Sequence, residues 1–250
     1  MSTIIGNPIM LGGGSGISAP IIGKDFNWTG GDGTYQVLDD GGGNWRIKFL
    51  SSGVFTPLKA MTIDVFLVGA GGGKGYRFCG AGGSGYTVTR KSIVLTPNTP
   101  YEIVVGAPGT NGVIAGQNGT NGGATSAFGA TAAGGYGSIQ GATSSKKSGG
   151  DGGSGGGGAA LSGNLLCVGG GVDGADGETG DSPGGKGQGT TTREFGESSG
   201  DLYATGGGNL LEDTVENSGN GGGRLTSDDS TLVNPASGIV IIRKHKEAAA

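Results

Sequence analysis

The chain has 250 residues, 63 of them glycine, and 16 Lys and Arg against 20 Asp and Glu leave a formal net charge of −4. That much glycine disfavours an ordinary side-chain core, because glycine loses the most freedom on folding and ordering a backbone costs roughly 1–2 kcal/mol per residue. Mild acidity without a basic stripe argues against a nucleic-acid surface, and no run approaches the roughly 18 apolar residues of a membrane-spanning helix.

Residues 1–24 form a lead, broken at Gly12-Gly13-Gly14 and ending in Ala19-Pro20-Ile21-Ile22. It lacks the basic start and apolar run of a signal peptide, which predicts synthesis in a cytosol and free thiols at Cys79 and Cys167. Residues 25–105 read as a strand scaffold. Segments 34–38, 45–50, 62–68, 86–90 and 101–105 are rich in β-branched and aromatic residues and bounded by Gly, Asp and Pro. A glycine-rich region follows from 106 and forms one domain with the scaffold. It is closed by 238–243, whose Ile239-Val240-Ile241-Ile242 run suits a central strand buried on both faces. Residues 244–250 read as an exposed tail with a solvated His245.

Glycines recur every third residue at Gly106, Gly109 and Gly112, then after one extra residue at Gly116, Gly119 and Gly122, and again at Gly174, Gly177 and Gly180. Three residues per turn is the period of a polyproline-II-type helix, whose backbone groups point outward and can bond neighbouring segments. The expected fold is mostly β: a sandwich-like strand scaffold carrying packed polyglycine-II-type segments and loops, with almost no helix.

Several motifs imitate chemistry. The run Thr62–Gly75 resembles the opening of a dinucleotide fold, but Lys74 stands at its third fingerprint position and no acidic residue follows about 20 residues on. Gly180–Gly187 nearly spells a phosphate loop, yet Gly187 replaces the Mg²⁺-binding hydroxyl. Gly152-Gly153-Ser154-Gly155-Gly156 matches a nucleophile elbow without a preceding strand. Asp173, Asp176, Glu178 and Asp181 cluster among glycines without calcium-roll register and read as a solvated loop. No cofactor and no enzymatic activity are expected. Tyr76, Arg77, Phe78, Tyr136, Lys146 and Lys147 interrupt the glycine runs. If the runs are rods, these residues fall in loops at rod ends and are the candidate contact residues.

Ser52–Pro57, Ile63–Gly73, Gly187–Glu197 and Ser237–Arg243 resemble motifs of the glycine-rich domain of phage and prophage tail proteins, over roughly residues 45–243. Residues 4–14 are similar to the N-terminus of small tail proteins. The resemblance implies a virion-associated or host-recognition protein, made in the host cytoplasm and carried on the tail in several copies. Its partners would be other tail proteins, through residues 1–24, and a bacterial cell-surface receptor, through the candidate loops; no nucleic acid and no membrane insertion are implied. A purely structural virion fibre or decoration protein and a bacterial surface protein are the alternatives. Within Thr190–Glu197, Arg193 is expected to pair with Glu194 and Glu197 and pin a crossing segment near Phe195.

Overall fold

A computed structural model describes residues 19–76, 80–139, 149–156, 160–161, 165–166, 192–208, 216–224 and 231–246. In chain order its strands begin with β1 (Phe26–Trp28), β2 (Tyr35–Gly41), β3 (Asn44–Phe49), β4 (Gly53–Pro57), β5 (Met61–Val68), β6 (Thr87–Leu95) and β7 (Tyr101–Val104). They continue with β8 (Thr125–Ala127), β9 (Ala130–Ala132), β10 (Ala160–Leu161), β11 (Leu165–Leu166), β12 (Gly223–Arg224), β13 (Leu232–Val233) and β14 (Ile239–Lys244). One five-stranded antiparallel sheet has the order β1-β4-β7-β8-β9 and the other β2-β3-β14-β5-β6. A 3-10 turn at Glu194–Gly196 is the single helical element among the described residues.

The two sheets enclose a core set by period-two alternation. Trp45, Ile47 and Phe49 of β3, Ile63, Val65 and Leu67 of β5, and Val240 and Ile242 of β14 meet Phe26, Trp28, Phe55 and Ile103 of the facing sheet. Each such side chain stabilises the fold by roughly 1.5–3 kcal/mol when fully buried. The intervening residues Phe66, Val68, Ile239 and Ile241 form a second cluster with Phe195 and Tyr203. Segment 192–204 thus covers the outer face of the second sheet. β14 lies between β3 and β5 with both faces buried, as its unbroken apolar run predicts.

The strands continue into the glycine-rich region as rods. β5 runs into 69–76, and 80–86 runs into β6. β7 leads into 106–112, 117–124 leads into β8, and β9 leads into 133–138. Backbone donors three residues apart on one rod reach the same neighbour. Gly69 and Gly72 donate to Tyr86 and Gly83, while Ala70, Gly73 and Tyr76 donate to Gly123, Thr120 and Gln117. Gly82 and Gly85 donate to Gly222 and Gly219, and Gly119 and Gly122 to Ser138 and Gly135. This three-residue repeat, with parallel and antiparallel neighbours mixed, is the polyglycine-II-type packing expected from the glycine spacing.

Rod 69–76 is the centre. Its N–H and C=O groups bond six neighbouring segments, at 80–86, 106–112, 117–124, 133–138, 219–222 and 236. The array therefore begins at 69, within the stretch read from sequence as strand scaffold, and its core is the run that imitated a dinucleotide fold.

The period-three glycines have a specific steric cause. A Cβ on Gly109 would stand 2.8 Å from Gly73 N and closer still to Thr120 O, inside the 2.8 Å bond between those two groups. On Gly112 it would stand 2.7 Å from Tyr76 N and 2.5 Å from Gln117 O, inside the next bond of the same series. Each absent Cβ makes room for a bond between two other rods. Gly116 (φ +86), the first glycine of the second triplet, lies in the turn that joins the two rods, and its left-handed backbone favours glycine. The extra residue in the spacing is that turn.

Candidate functional site

Because consecutive rods alternate in direction, the ends away from the sandwich lie together. Gly112 N–H donates to Lys74 O at 2.7 Å, and Tyr76 N–H to Gln117 O at 2.9 Å. Gly75 N–H donates to Ser138 Oγ at 2.7 Å. The turn between rods is closed on itself: Gln117 N–H donates to Ile114 O, and Gln117 Oε1 accepts from Val113 N–H. This fixed frame holds Val113 and Ile114, each 66% exposed, at the same end of the array as Ile139, 55% exposed. Scattered exposed apolar residues are ordinary, but a set gathered on one end of a braced frame is a candidate contact surface.

Of the residues expected to make contacts, Tyr76 ends the central rod at this face. Tyr136 lies two residues before Ser138, with its ring turned outward and 53% exposed while its N–H bonds Asp151 O. Arg77, Phe78, Lys146 and Lys147 lie outside the described residues, as do Cys79, Cys167, the acidic 173–181 cluster and residues 1–18. The rods flanking 77–79 and 140–148 end at this face. Sequence reading passed over Val113, Ile114 and Ile139. Their signal was present: adjacent β-branched residues sit where the glycine phase breaks between Gly112 and Gly116.

His245 is not solvated in a tail. Its N–H donates to Thr62 O, extending the β14–β5 pairing, and its Nδ1 lies 2.6 Å from Asp64 Oδ1. Ser92 Oγ stands 2.9 Å from His245 Nε2, which brings serine, histidine and aspartate together as in a hydrolytic relay. The contact is not aligned as in such a relay. Ser92 Oγ is also only 3.5 Å from Nδ1. A hydroxyl on the Nε2 lone pair would stand roughly 5 Å from Nδ1, so this one lies over the ring face, off the proton-transfer axis. Ser92 (φ +58) is the bulged residue where the β5–β6 register shifts between Ile63 and Val65, and its N–H donates to Asp64 Oδ1. The trio closes a β-bulge. Burial alone would raise the Asp64 carboxyl. Bonds from His245, Ser92 N–H and Arg243 outweigh it and hold the group below the usual carboxylate range.

A second polar cluster lies under segment 192–204. Glu194, 3% exposed, pairs with Arg46 and Lys48 of β3 and accepts from Tyr203 Oη at 3.0 Å. Glu197 pairs with Arg243 of β14 at 2.7 Å, and the Arg243 guanidinium stacks 4.1 Å from the Phe195 ring centre. Arg193 donates to Gly200 O. The crossing segment is thus pinned near Phe195, but by its carboxylates reaching the sheet rather than by pairing of Arg193 with Glu194 and Glu197. Local sequence favoured the wrong partner because β3 and β14 are distant in the chain. Burial pushes the Tyr203 phenol up to about 12, against the bond from Lys48 that lowers it.

The dinucleotide-like and elbow-like runs are absorbed by the array, and the phosphate-loop-like run 180–187 lies outside the described residues. The N–H groups of Gly71, Gly72 and Gly73, which a dinucleotide phosphate would need, donate to Ala236, Gly83 and Thr120. Ser154 of the elbow-like run is buried in 149–156, and its N–H donates to Ser84 Oγ. Among the described residues, no three His, Cys, Asp or Glu stand together to hold a metal ion, and no helix is long and apolar enough to cross a membrane. A shallow groove of about 350 Å³ lies on the scaffold against Tyr101, Glu102 and Phe128, apart from the rod-end residues.

Comparison with curated proteins finds no match for this chain. The family described as glycine-rich domain matches residues 50–245, the stretch from just before β4 to just past β14, which holds the array and all the sandwich strands but β1, β2 and β3. The chain belongs to the glycine-rich domain family.

Proposed function

We propose that this protein is a non-enzymatic component of a phage tail that binds the bacterial surface through the far ends of its glycine rods. The observation that carries this reading is the gathering of Tyr76, Val113, Ile114 and Ile139 at one end of a braced backbone array. Such a frame presents loops without large ordering losses on binding, which favours affinity. The tail assignment itself rests on the resemblance of Ser52–Pro57, Ile63–Gly73, Gly187–Glu197 and Ser237–Arg243 to phage tail motifs. Residues 1–24 would attach the protein to other tail proteins. Ile21 and Ile22, 44% and 42% exposed, offer apolar contact at that end. Several copies per virion would convert modest single-site affinity into firm attachment by avidity.

The test is competition for adsorption. Purified protein should block adsorption of its phage to host cells, and the variant with Val113, Ile114 and Ile139 all changed to Ser should block at least about tenfold less well, an apolar loss of roughly 1.4 kcal/mol or more. Equal blocking by both proteins would sink the rod-end assignment. Normal adsorption by virions lacking the protein would favour the structural fibre or decoration reading instead.

A further inference from the structure

Three segments of the array lie side by side in one row. Rod 117–124 joins rod 133–138 through Gly119 N–H to Ser138 O at 3.0 Å and Gly122 N–H to Gly135 O at 2.9 Å. Rod 133–138 joins segment 149–156 through Tyr136 N–H to Asp151 O at 2.8 Å. Two rods lie beneath the row, themselves joined by Gly72 N–H to Gly83 O. Rod 69–76 holds the first two members, through Gly73 N–H to Thr120 O and Gly135 N–H to Ala70 O. Rod 80–86 holds the last two, through Gly83 N–H to Tyr136 O and Gly150 N–H to Ala81 O. Three rods seated over two make a flat layer, and Asn121, Tyr136 and Asp151, one from each member, are exposed on it. We propose that this flank of the array binds an extended neutral polysaccharide, with Tyr136 stacked on a sugar ring and Asn121 and Asp151 bonding its hydroxyls.

Glycine phase decides which residue of rod 133–138 carries the ring. A Cβ on Gly134 would meet Gly122 O, one on Gly135 would meet Gly83 O, and one on Gly137 would meet Gly119 O. Tyr136 falls at the outward position between them, 53% exposed. Its N–H and C=O are both bonded, to Asp151 and Gly83, so the ring stands on a fixed backbone and little freedom is lost on binding. Asn121 Oδ1 accepts from Gly137 N–H at 2.9 Å, which holds that side chain against the residue next to Tyr136. Among the described residues, neither Asn121 Nδ2 nor the Asp151 carboxylate has a hydrogen-bond partner.

A ring with an amide donor on one side and a carboxylate acceptor on the other matches a pyranose. The sugar offers an apolar C–H face to the ring and a rim of hydroxyls that both donate and accept. Bonds to the ionised carboxylate are the stronger ones. Charge argues against phosphate-bearing polymers, since the described residues of the three segments include Asp151 and no Lys or Arg. A peptide strand would need unpaired backbone groups, which Tyr136 does not offer. Flatness selects among glycans: equatorial linkage keeps a chain extended, whereas axial linkage coils it away from a flat layer. The inference does not rest on any contact at the rod ends.

The experiment uses the full chain. Retention on washed, insoluble chitin and cellulose is measured, and chitohexaose, cellohexaose and the axially linked maltohexaose are titrated while amide NMR shifts are followed. The chain should be retained on at least one solid, and the matching hexasaccharide should shift the amides of Asn121, Tyr136 and Gly137 while maltohexaose leaves them in place. Tyr136→Ala should weaken binding at least about tenfold at an unchanged urea midpoint, and Tyr136→Phe, which keeps the ring, should stay within about threefold of the parent. Asn121→Asp keeps the acceptor for Gly137 N–H but loses the Nδ2 donor, and should weaken binding about threefold or more. Absence of retention on both solids would overturn the proposal. So would full binding by Tyr136→Ala, or equal shifts with maltohexaose.

Discussion

Replacing Gly109 by alanine puts a methyl group into a hydrogen bond between two other rods. The added Cβ would stand 2.8 Å from Gly73 N and nearer still to Thr120 O, against about 3.5 Å for an unstrained carbon contact. Rod 106–112 cannot simply move away, because Gly109 N–H is held by Gly71 O at 2.9 Å and Gly112 N–H by Lys74 O at 2.7 Å. Either those bonds stretch or the Gly73–Thr120 bond is lost. An unpaired buried N–H costs about 1–3 kcal/mol and overpacking strain about 1–3 more, so a total near 3–5 kcal/mol is expected. Whole domains are stable by only about 5–15 kcal/mol. Gly116→Ala is the control. At φ +86 with nothing within 4 Å, it should cost only the left-handed backbone penalty, about 1–2 kcal/mol. Urea unfolding followed by tryptophan fluorescence, with amide exchange read at Gly73 and Gly109, separates the two. Equal midpoints for Gly109→Ala and Gly116→Ala would refute the steric account of the spacing.

Register supplies a second prediction. One residue inserted between Thr120 and Asn121 should rotate later donors by about 120° and abolish cooperative folding, whereas three residues inserted at Ala115 should leave the melting midpoint nearly unchanged. Asp64 supplies a third. Its carboxyl is held below its ordinary value in the folded state, so its contribution is full above the unfolded value of about 3.9 and is lost as pH falls through the folded one. Asp64→Asn should be less stable at neutral pH and show a flatter acid limb in pH-dependent urea midpoints. Tyr203 works in the opposite sense. With its phenol raised from 10.0 to about 12 in the folded protein, its contribution is present below the unfolded value and is lost as pH rises through the folded one. Tyr203→Phe should flatten the alkaline limb above about pH 10; an unchanged alkaline midpoint would contradict the burial argument.

Much of this fold could be read locally. Runs of β-branched and aromatic residues bounded by Gly, Asp and Pro located β2, β3, β5 and β7 to within a few residues, and the unbroken apolar run located β14, because strand preference and burial are written into neighbouring positions. The glycine triplets marked rods, and the phase break at Gly112–Gly116 marked a turn between them. Which rod bonds which was not legible. A polyglycine-II segment points its donors and acceptors to all sides, and glycine carries no side chain that could select a neighbour. The central place of 69–76, with six neighbouring segments, exists only once β5, β7, β9 and β14 bring their rods together. The same holds for Asp64 with His245 and for Glu194 with Arg46 and Lys48, pairs that lie far apart along the chain. By itself, then, the sequence determined the strands and the three-residue repeat, since both arise from contacts that recur along the chain. Tertiary structure decided the partners of each rod, the closed bulge at His245 and the apolar end at Val113, Ile114 and Ile139.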